Sequence, residues 1–292
     1  MYIHIKVTTY MDHIRLYKTV SGNVIEFRSQ YYLNNLPWNQ LVNRDNLYDY
    51  LQNLINPENS THIASPSEDE ILPPIDEQEV WAAGVTYLRS KTARMEESAG
   101  SGADSFYDLV YKAERPELFF KSSPGNVVGS NDVVHIRKDS VWNVPEPELT
   151  LFINSNGHIQ GYTIGNDMSS RSIEGENPLY LPQAKVYDRS AAIGPALLVT
   201  KEPINPDTVI HMMIKRNDHE VFNDHISIRQ MKREHNELVH FLFRENTFPS
   251  GCYMMTGTSL VPPSSFTLQV NDEVEITINE IGILKNKVGQ RK

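Results

Sequence analysis

The sequence predicts an α+β fold, mostly β, in which a core of rolled or packed sheets follows a small N-terminal domain. Strand-like apolar runs recur along most of the chain after residue 80, and only two helical stretches interrupt them. A segment rich in Pro, Ser and acids sets a short leading module apart from the rest.

The leading module opens with strand-like residues 1–7 and 24–28 and continues with a helical stretch over 38–54. Residues 56–61 and 65–74 then have linker chemistry, which places a boundary between a domain of residues 1–72 and one of residues 73–292. Beyond it, strands are expected over 80–85, 118–121, 133–136, 149–153, 159–164, 196–199, 209–215, 252–256, 267–270 and 273–278. The first helical stretch covers 89–97, with an extension over 105–112. The second covers 230–243, where Met231, Leu238, Val239, Leu242 and Phe243 follow helical spacing. The small residues 98–103 read as a surface loop in preference to a lid.

Composition narrows the function classes. A hydrophobic fraction of 39% and a charged fraction of 22% are ordinary for a soluble globular protein. A net charge of −10, with no Lys/Arg cluster, argues against nucleic acid while leaving room for a local basic pocket. No apolar run approaches the roughly 20 residues that span a bilayer. The N-terminus alternates like a strand and lacks a signal-peptide apolar region, so a cytoplasmic location is expected. The single cysteine, Cys252, lies in the apolar context Gly-Cys-Tyr-Met-Met and reads as a buried structural thiol.

The chemistry concentrates around Pro145-Glu-Pro-Glu-Leu149 and Gly161-Tyr-Thr-Ile-Gly-Asn-Asp167. Glu146 and Glu148 stand two apart in a strand-like run, so their carboxylates share a face and repel unless a cation lies between them. The Asn156-Gly157 turn signal returns the chain, which brings Asp167 beside them. Three oxygen donors without Cys or His suit a hard divalent cation such as Mg²⁺, with Mn²⁺ as the alternative. The plainer reading is a solvated strand face carrying surface acids. His235 and His240 lie five apart and miss the spacing for shared ligation. His-Glu-x-x-His, P-loop, Gly-x-Gly-x-x-Gly and Gly-x-Ser-x-Gly motifs are absent, which disfavours nucleotide enzymes and serine hydrolases.

Taken in order, Pro116-Glu-Leu-Phe-Phe-Lys121, Glu146-Pro-Glu-Leu, Gly161 to Arg171, Gln183-Ala-Lys-Val-Tyr-Asp188, Gly194-Pro195, Thr256-Gly-Thr258 and the closing segments 271–276 and 281–286 resemble the fumarylacetoacetate hydrolase family. The resemblance spans residues 80–288. It implies a mixed β-sandwich roll behind a small N-terminal domain, a Mg²⁺ (or Mn²⁺) site, and a homodimer or homotetramer. Within it, Glu146, Glu148 and Asp167 match the metal ligands, and Lys185 matches the active-site lysine. Lys121 matches a lysine that faces the site, and Thr258 matches the segment meeting the substrate carboxylate. The acid of Arg115-Pro-Glu117, the extended run 169–185 and Thr256-Gly-Thr-Ser-Leu-Val-Pro-Pro263 look like the branch that dehydrates 2-dehydro-3-deoxy-D-arabinonate. No His-x-x-Glu dyad of the C–C hydrolases is evident over 88–102.

For a small 2-oxo acid substrate, that branch implies removal of a C3 proton and departure of the C4 hydroxyl. Strand alternation puts Glu117, Phe119 and Lys121 on one face, which makes Glu117 the favoured general base, with Glu114 as the fallback. The plainer role for Glu117 is an ion pair with Lys121. Lys185 is expected to orient the substrate's carboxylate or ketone oxygen or to stabilise enolate charge. Arg171 is a candidate carboxylate clamp or a structural arginine holding Asp167 or Glu174. Thr86, at a strand end, is a candidate pocket residue. Two other readings are a C–C bond hydrolase of acylpyruvate or fumarylacetoacetate type on the same metal, and a non-catalytic binding descendant.

Overall fold

The computed structural model describes residues 12–55, 61–88 and 109–292. The expected strand over 1–7, helix over 89–97 and loop over 98–103 lie outside the described residues, as do most of segment 56–61 and the first half of the 105–112 extension.

The N-terminal part contributes strands β1 (His13–Thr19), β2 (Gly22–Phe27) and β3 (Gln30–Asn34), helices α1 (Trp38–Val42) and α2 (Leu47–Leu54), and strands β4 (Thr61–Ile63) and β5 (Ile71–Leu72). There follow β6 (Glu79–Gly84), β7 (Glu117–Ser122), β8 (Val127–Val128), β9 (Val133–Ile136) and β10 (Asn143–Val144). The central stretch holds β11 (Pro147–Ile153), β12 (Ile159–Asp167), β13 (Ser169–Ser170), α3 (Arg171–Glu176), α4 (Leu181–Lys185) and β14 (Ala191–Thr200). The chain closes with β15 (Val209–Arg216), β16 (His219–Ser227), α5 (His235–Phe243), β17 (Cys252–Met255), β18 (Glu273–Ile278) and β19 (Gly282–Gln290).

These strands build a 12-stranded sheet in the order β4-β3-β2-β1-β14-β12-β11-β17-β6-β7, with β5 beside β1 and β8 beside β14. A five-stranded sheet has the order β16-β15-β18-β19-β9, and β10 pairs with β13. The N-terminal strands continue the large sheet through antiparallel β1–β14 pairs such as Leu16↔Leu197.

Side-chain alternation along β11 assigns the two faces of the large sheet. Leu149, Leu151 and Ile153 enter the core shared with Ile210, Met212, Ile214, Val274 and Ile276 of the five-stranded sheet. Phe152 enters the opposite core, with Trp38, Leu41 and Leu51 of the two helices and Tyr253 and Met255 of β17. Glu148 and Thr150 share the Phe152 face by the same period. The acids therefore sit on the helix-covered face, at one end of the central strands.

Local chemistry explains where expectation and structure differ. The single helix expected over 38–54 is broken between Val42 and Leu47, where Asn46 is left-handed at φ 54°. The break is held from far along the chain: Asp45 accepts from Asn154 and Asn156, and Asn43 accepts from the Ser155 amide. The expected strand over 267–270 does not form. Its backbone bonds go instead to scattered partners: Leu268 N donates to Asn143 O, Gln269 N donates to Asp272 Oδ2, and Thr267 O accepts from Arg216. The helix expected over 230–243 starts at His235, after a 3₁₀ turn over Ile228–Gln230. Strands β1 and β16 were not expected, because charged residues on their open faces dilute the apolar signal. Among the described residues, no helix is long and apolar enough to cross a membrane. Cys252 is buried, and burial pushes its thiol pKa up, as a structural role requires.

Candidate metal centre and active site

The β11–β12 hairpin forms as the Asn-Gly signal predicts. Gly157 takes φ 77°, its amide bonds Asn154 O at 3.0 Å, and Glu148 comes to lie opposite Gly165. Pro147 occupies the first position of β11, where its missing N–H does not interrupt the ladder. At that end Asp167 N donates to Glu146 O at 2.9 Å, which fixes the second half of the motif against the first.

One oxygen from each of Glu146, Glu148 and Asp167 lies within 4.8 Å of the others, and all three residues are buried. Burial, reinforced by the charges of Asp167 and Glu146, raises the Glu148 carboxyl well above its usual range. The donor set fits a hard divalent cation: it is all oxygen, it converges, and its mutual repulsion is what such an ion relieves. The triad expected from sequence is therefore assembled in the structure, and these carboxylates are the residues that would hold the metal.

Three buried cations surround the triad. Lys185 Nζ bridges Glu146 Oε2 and Asp167 Oδ2, the latter at 3.1 Å. Arg171 donates to Glu146 Oε1 at 2.6 Å. Lys121 Nζ lies 2.6 Å from Asp167 Oδ1. A fourth buried acid, Glu174, lies 4.0 Å from Arg171 Nε and accepts from Ser169 Oγ at 3.1 Å. The i, i+3 spacing on α3 was the available signal for that pair. Arg171 is thus held on Glu146 with Glu174 close by, where the sequence left open a carboxylate clamp or a structural arginine holding Asp167 or Glu174.

A narrow cavity opens over the triad, lined also by Gly84, Val85, Phe119, Arg171, Lys185, Gly257 and Thr258. Thr258 lines it as expected, with its Oγ1 accepting from Leu260 N at 3.1 Å. Thr86 does not line it. Its hydroxyl donates to Thr256 O at 2.8 Å, behind the lining, and so pins the neighbouring turn. Gly257 in that turn is left-handed at φ 94°, and its amide donates to Glu148 Oε2 at 2.5 Å. A Cβ there would lie 2.0 Å from Thr86 Oγ1, so only glycine fits. Val85, a β-branched residue at φ 54°, carries backbone strain at the cavity rim.

Strand β7 alternates as expected. Phe119 reaches the cavity, its ring centroid 5.7 Å from Lys185 Nζ, while Phe120 packs edge-on against Trp81 on the other face. Glu117 pairs with Gly84 across β6–β7, and its carboxylate lies directly over that glycine. A Cβ at position 84 would fall 1.9 Å from Glu117 Oε2. Gly84→Ala should therefore push the carboxylate aside and lower kcat about 100-fold, the usual cost of a misplacement near 1 Å. The Mg²⁺ Kd should stay unchanged, which steady-state assays and metal titration of the variant would check together. Glu114 contributes its backbone carbonyl to Arg233, and its side chain does not line the cavity.

Comparison with known proteins bears on this geometry. The family model for the fumarylacetoacetate (FAA) hydrolase C-terminal region matches residues 80–289. A probable 2-keto-3-deoxyxylonate dehydratase of Haloferax volcanii is 50% identical over 216 residues, covering 74% of this chain and 73% of that protein. A 2-dehydro-3-deoxy-D-arabinonate dehydratase of Saccharolobus solfataricus is 40% identical over 224 residues, 76% of this chain and 75% of that protein. The structure of a 2-keto-3-deoxy-D-arabinonate dehydratase complexed with magnesium and 2,5-dioxopentanoate superposes with a TM-score of 0.81 at 31% identity. It covers 96% of this chain and 99% of that one. With the model matching most of its length and the motif carboxylates gathered at one end of the large sheet, the chain belongs to the fumarylacetoacetate hydrolase family.

Proposed function

We propose that the chain is a Mg²⁺-dependent hydro-lyase that converts a 2-dehydro-3-deoxy aldonate, 2-dehydro-3-deoxy-D-arabinonate or its pentonate epimer, to 2,5-dioxopentanoate. The observation that carries this reading is the buried carboxylate triad beneath a cavity whose lining residue Gly84 is overlain by Glu117, in a chain 40–50% identical to sugar-acid dehydratases over three quarters of its length. The protein is read as a cytoplasmic homodimer or homotetramer whose catalytic part is residues 73–292, with Mn²⁺ as the alternative metal.

Glu146, Glu148 and Asp167 would hold the ion, which supplies a Lewis acid for the 2-oxo acid group. Glu117 takes the proton from C3, and the same carboxyl, now protonated, delivers it to the departing C4 hydroxyl as water. The C3=C4 bond then moves to C4=C5 as a proton is lost from C5 and one is returned to C3, giving the enol of the C5 aldehyde. The enol ketonises by moving its hydroxyl proton to C4, which gives 2,5-dioxopentanoate. Lys185, fully buried beside two of the carboxylates, places positive charge where enolate charge develops. The Phe119 ring excludes water from the Glu117 side. Arg171 holds Glu146, and Thr86 holds the turn that presents Gly257 and Thr258, so both act as positioning residues.

The test is product identification. Purified protein with Mg²⁺ is given 2-dehydro-3-deoxy-D-arabinonate and, separately, acetylpyruvate. Dioxopentanoate from the first substrate, with no cleavage of the second, is the expected result. Cleavage of acetylpyruvate without dehydration would move the chain to the C–C hydrolases and remove the role given to Glu117.

A further inference from the structure

The family resemblance turns Lys121 toward the site as a candidate substrate-binding residue, yet the structure commits its ammonium elsewhere. Lys121 is 0% exposed, and its side chain does not line the cavity. Nζ lies 2.6 Å from Asp167 Oδ1, donates to Met168 O at 3.0 Å and donates to Lys185 O at 2.5 Å. Two of its three protons go to backbone carbonyls, and its charge is set against the Asp167 carboxylate.

The three partners belong to two separate pieces of the site. Asp167, the metal ligand, ends β12, and Met168 follows it directly. Lys185 O is a terminal carbonyl of the short helix α4, a group with no partner inside its own helix. Lys121 itself stands on β7, the last strand of the large sheet's path, two pleats from Glu117. A single buried cation therefore ties together the strand of the base, a metal carboxylate and the backbone of the active-site lysine.

The two lysines that flank Asp167 also differ in kind. Lys185 Nζ donates to two carboxylates of the triad, Glu146 and Asp167. Lys121 is tethered by two backbone carbonyls, so its charge is fixed on Oδ1. We propose that Lys121 is a positioning residue, a fixed counter-ion that orients Asp167 toward the metal and anchors Lys185, with no contact to substrate.

The proposal rests on the metal reading of the triad, and its test separates the two. Mg²⁺ is titrated calorimetrically into chelator-treated wild type and Lys121→Met, and both are assayed at saturating Mg²⁺. The variant should bind Mg²⁺ about 10–100-fold more weakly, the usual effect of losing a partner that orients a ligand. Its kcat should fall, and its KM for the sugar acid should stay within about twofold of wild type. An unchanged Mg²⁺ Kd, or a KM raised tenfold or more, would overturn the proposal, the second by showing that Lys121 meets substrate. Should Lys121→Met fail to fold, Lys121→Gln carries the same titration with an amide donor in place. Failure of the metal reading would show in the wild type, whereas failure of this proposal shows only in the variant.

Discussion

Asp167→Asn is expected to abolish Mg²⁺ binding and turnover together, with kcat falling at least about 1,000-fold, on the order of 4 kcal/mol of transition-state stabilisation. Asp167 supplies one of three converging oxygens and also forms ion pairs with two buried ammonium groups, Lys121 and Lys185. The amide is a poorer ligand and leaves both cations against a neutral group. Removing one partner of a buried pair costs about 3–5 kcal/mol, so the variant should melt at a lower temperature as well. Glu146→Gln should behave alike, because Glu146 receives Lys185 on one oxygen and Arg171 on the other. Calorimetric titration of Mg²⁺ at a temperature where each variant is still folded separates loss of the metal from loss of the fold. Wild-type affinity in either variant would remove that residue from the ligand set.

Glu117→Gln should give the opposite pattern. Glu117 lies over Gly84, a residue of the cavity lining, and is outside the cluster of converging oxygens, so Mg²⁺ binding should be unchanged. Turnover should fall about 10²–10⁴-fold, the range supplied by a positioned general base, with little change in KM. The amide preserves the shape of the side chain, so a fall in kcat reports lost proton transfer and not lost packing. Near-normal turnover in this variant would return the search for the base to the other acids near the site.

The parts of this site that sequence makes legible are those governed by local period. Alternation places Glu146 with Glu148, and Glu117 with Phe119 and Lys121, while Asn156-Gly157 specifies the hairpin that delivers Asp167. What alternation does not convey is how much space lies beyond a side chain. Lys121 and Thr86 are on the correct side, yet both are consumed by backbone carbonyls behind the cavity wall. The broken helix over residues 38–54 is another long-range effect. Asn43 and Asp45 bond the turn of a hairpin more than a hundred residues away, and nothing within the local sequence announces those partners. The expected strand over 267–270 has β propensity, but its backbone bonds go to Asn143, Asp272 and Arg216 separately, and a segment without a neighbouring strand has no ladder to join.

The central claim is that one divalent ion on Glu146, Glu148 and Asp167 is required for dehydration. Its most direct test adds Mg²⁺ stepwise to chelator-treated wild type while binding and dioxopentanoate formation are followed in parallel. The expected result is one Mg²⁺ per chain, with activity rising from zero along the same curve as binding. Full turnover before any Mg²⁺ has bound would contradict the claim.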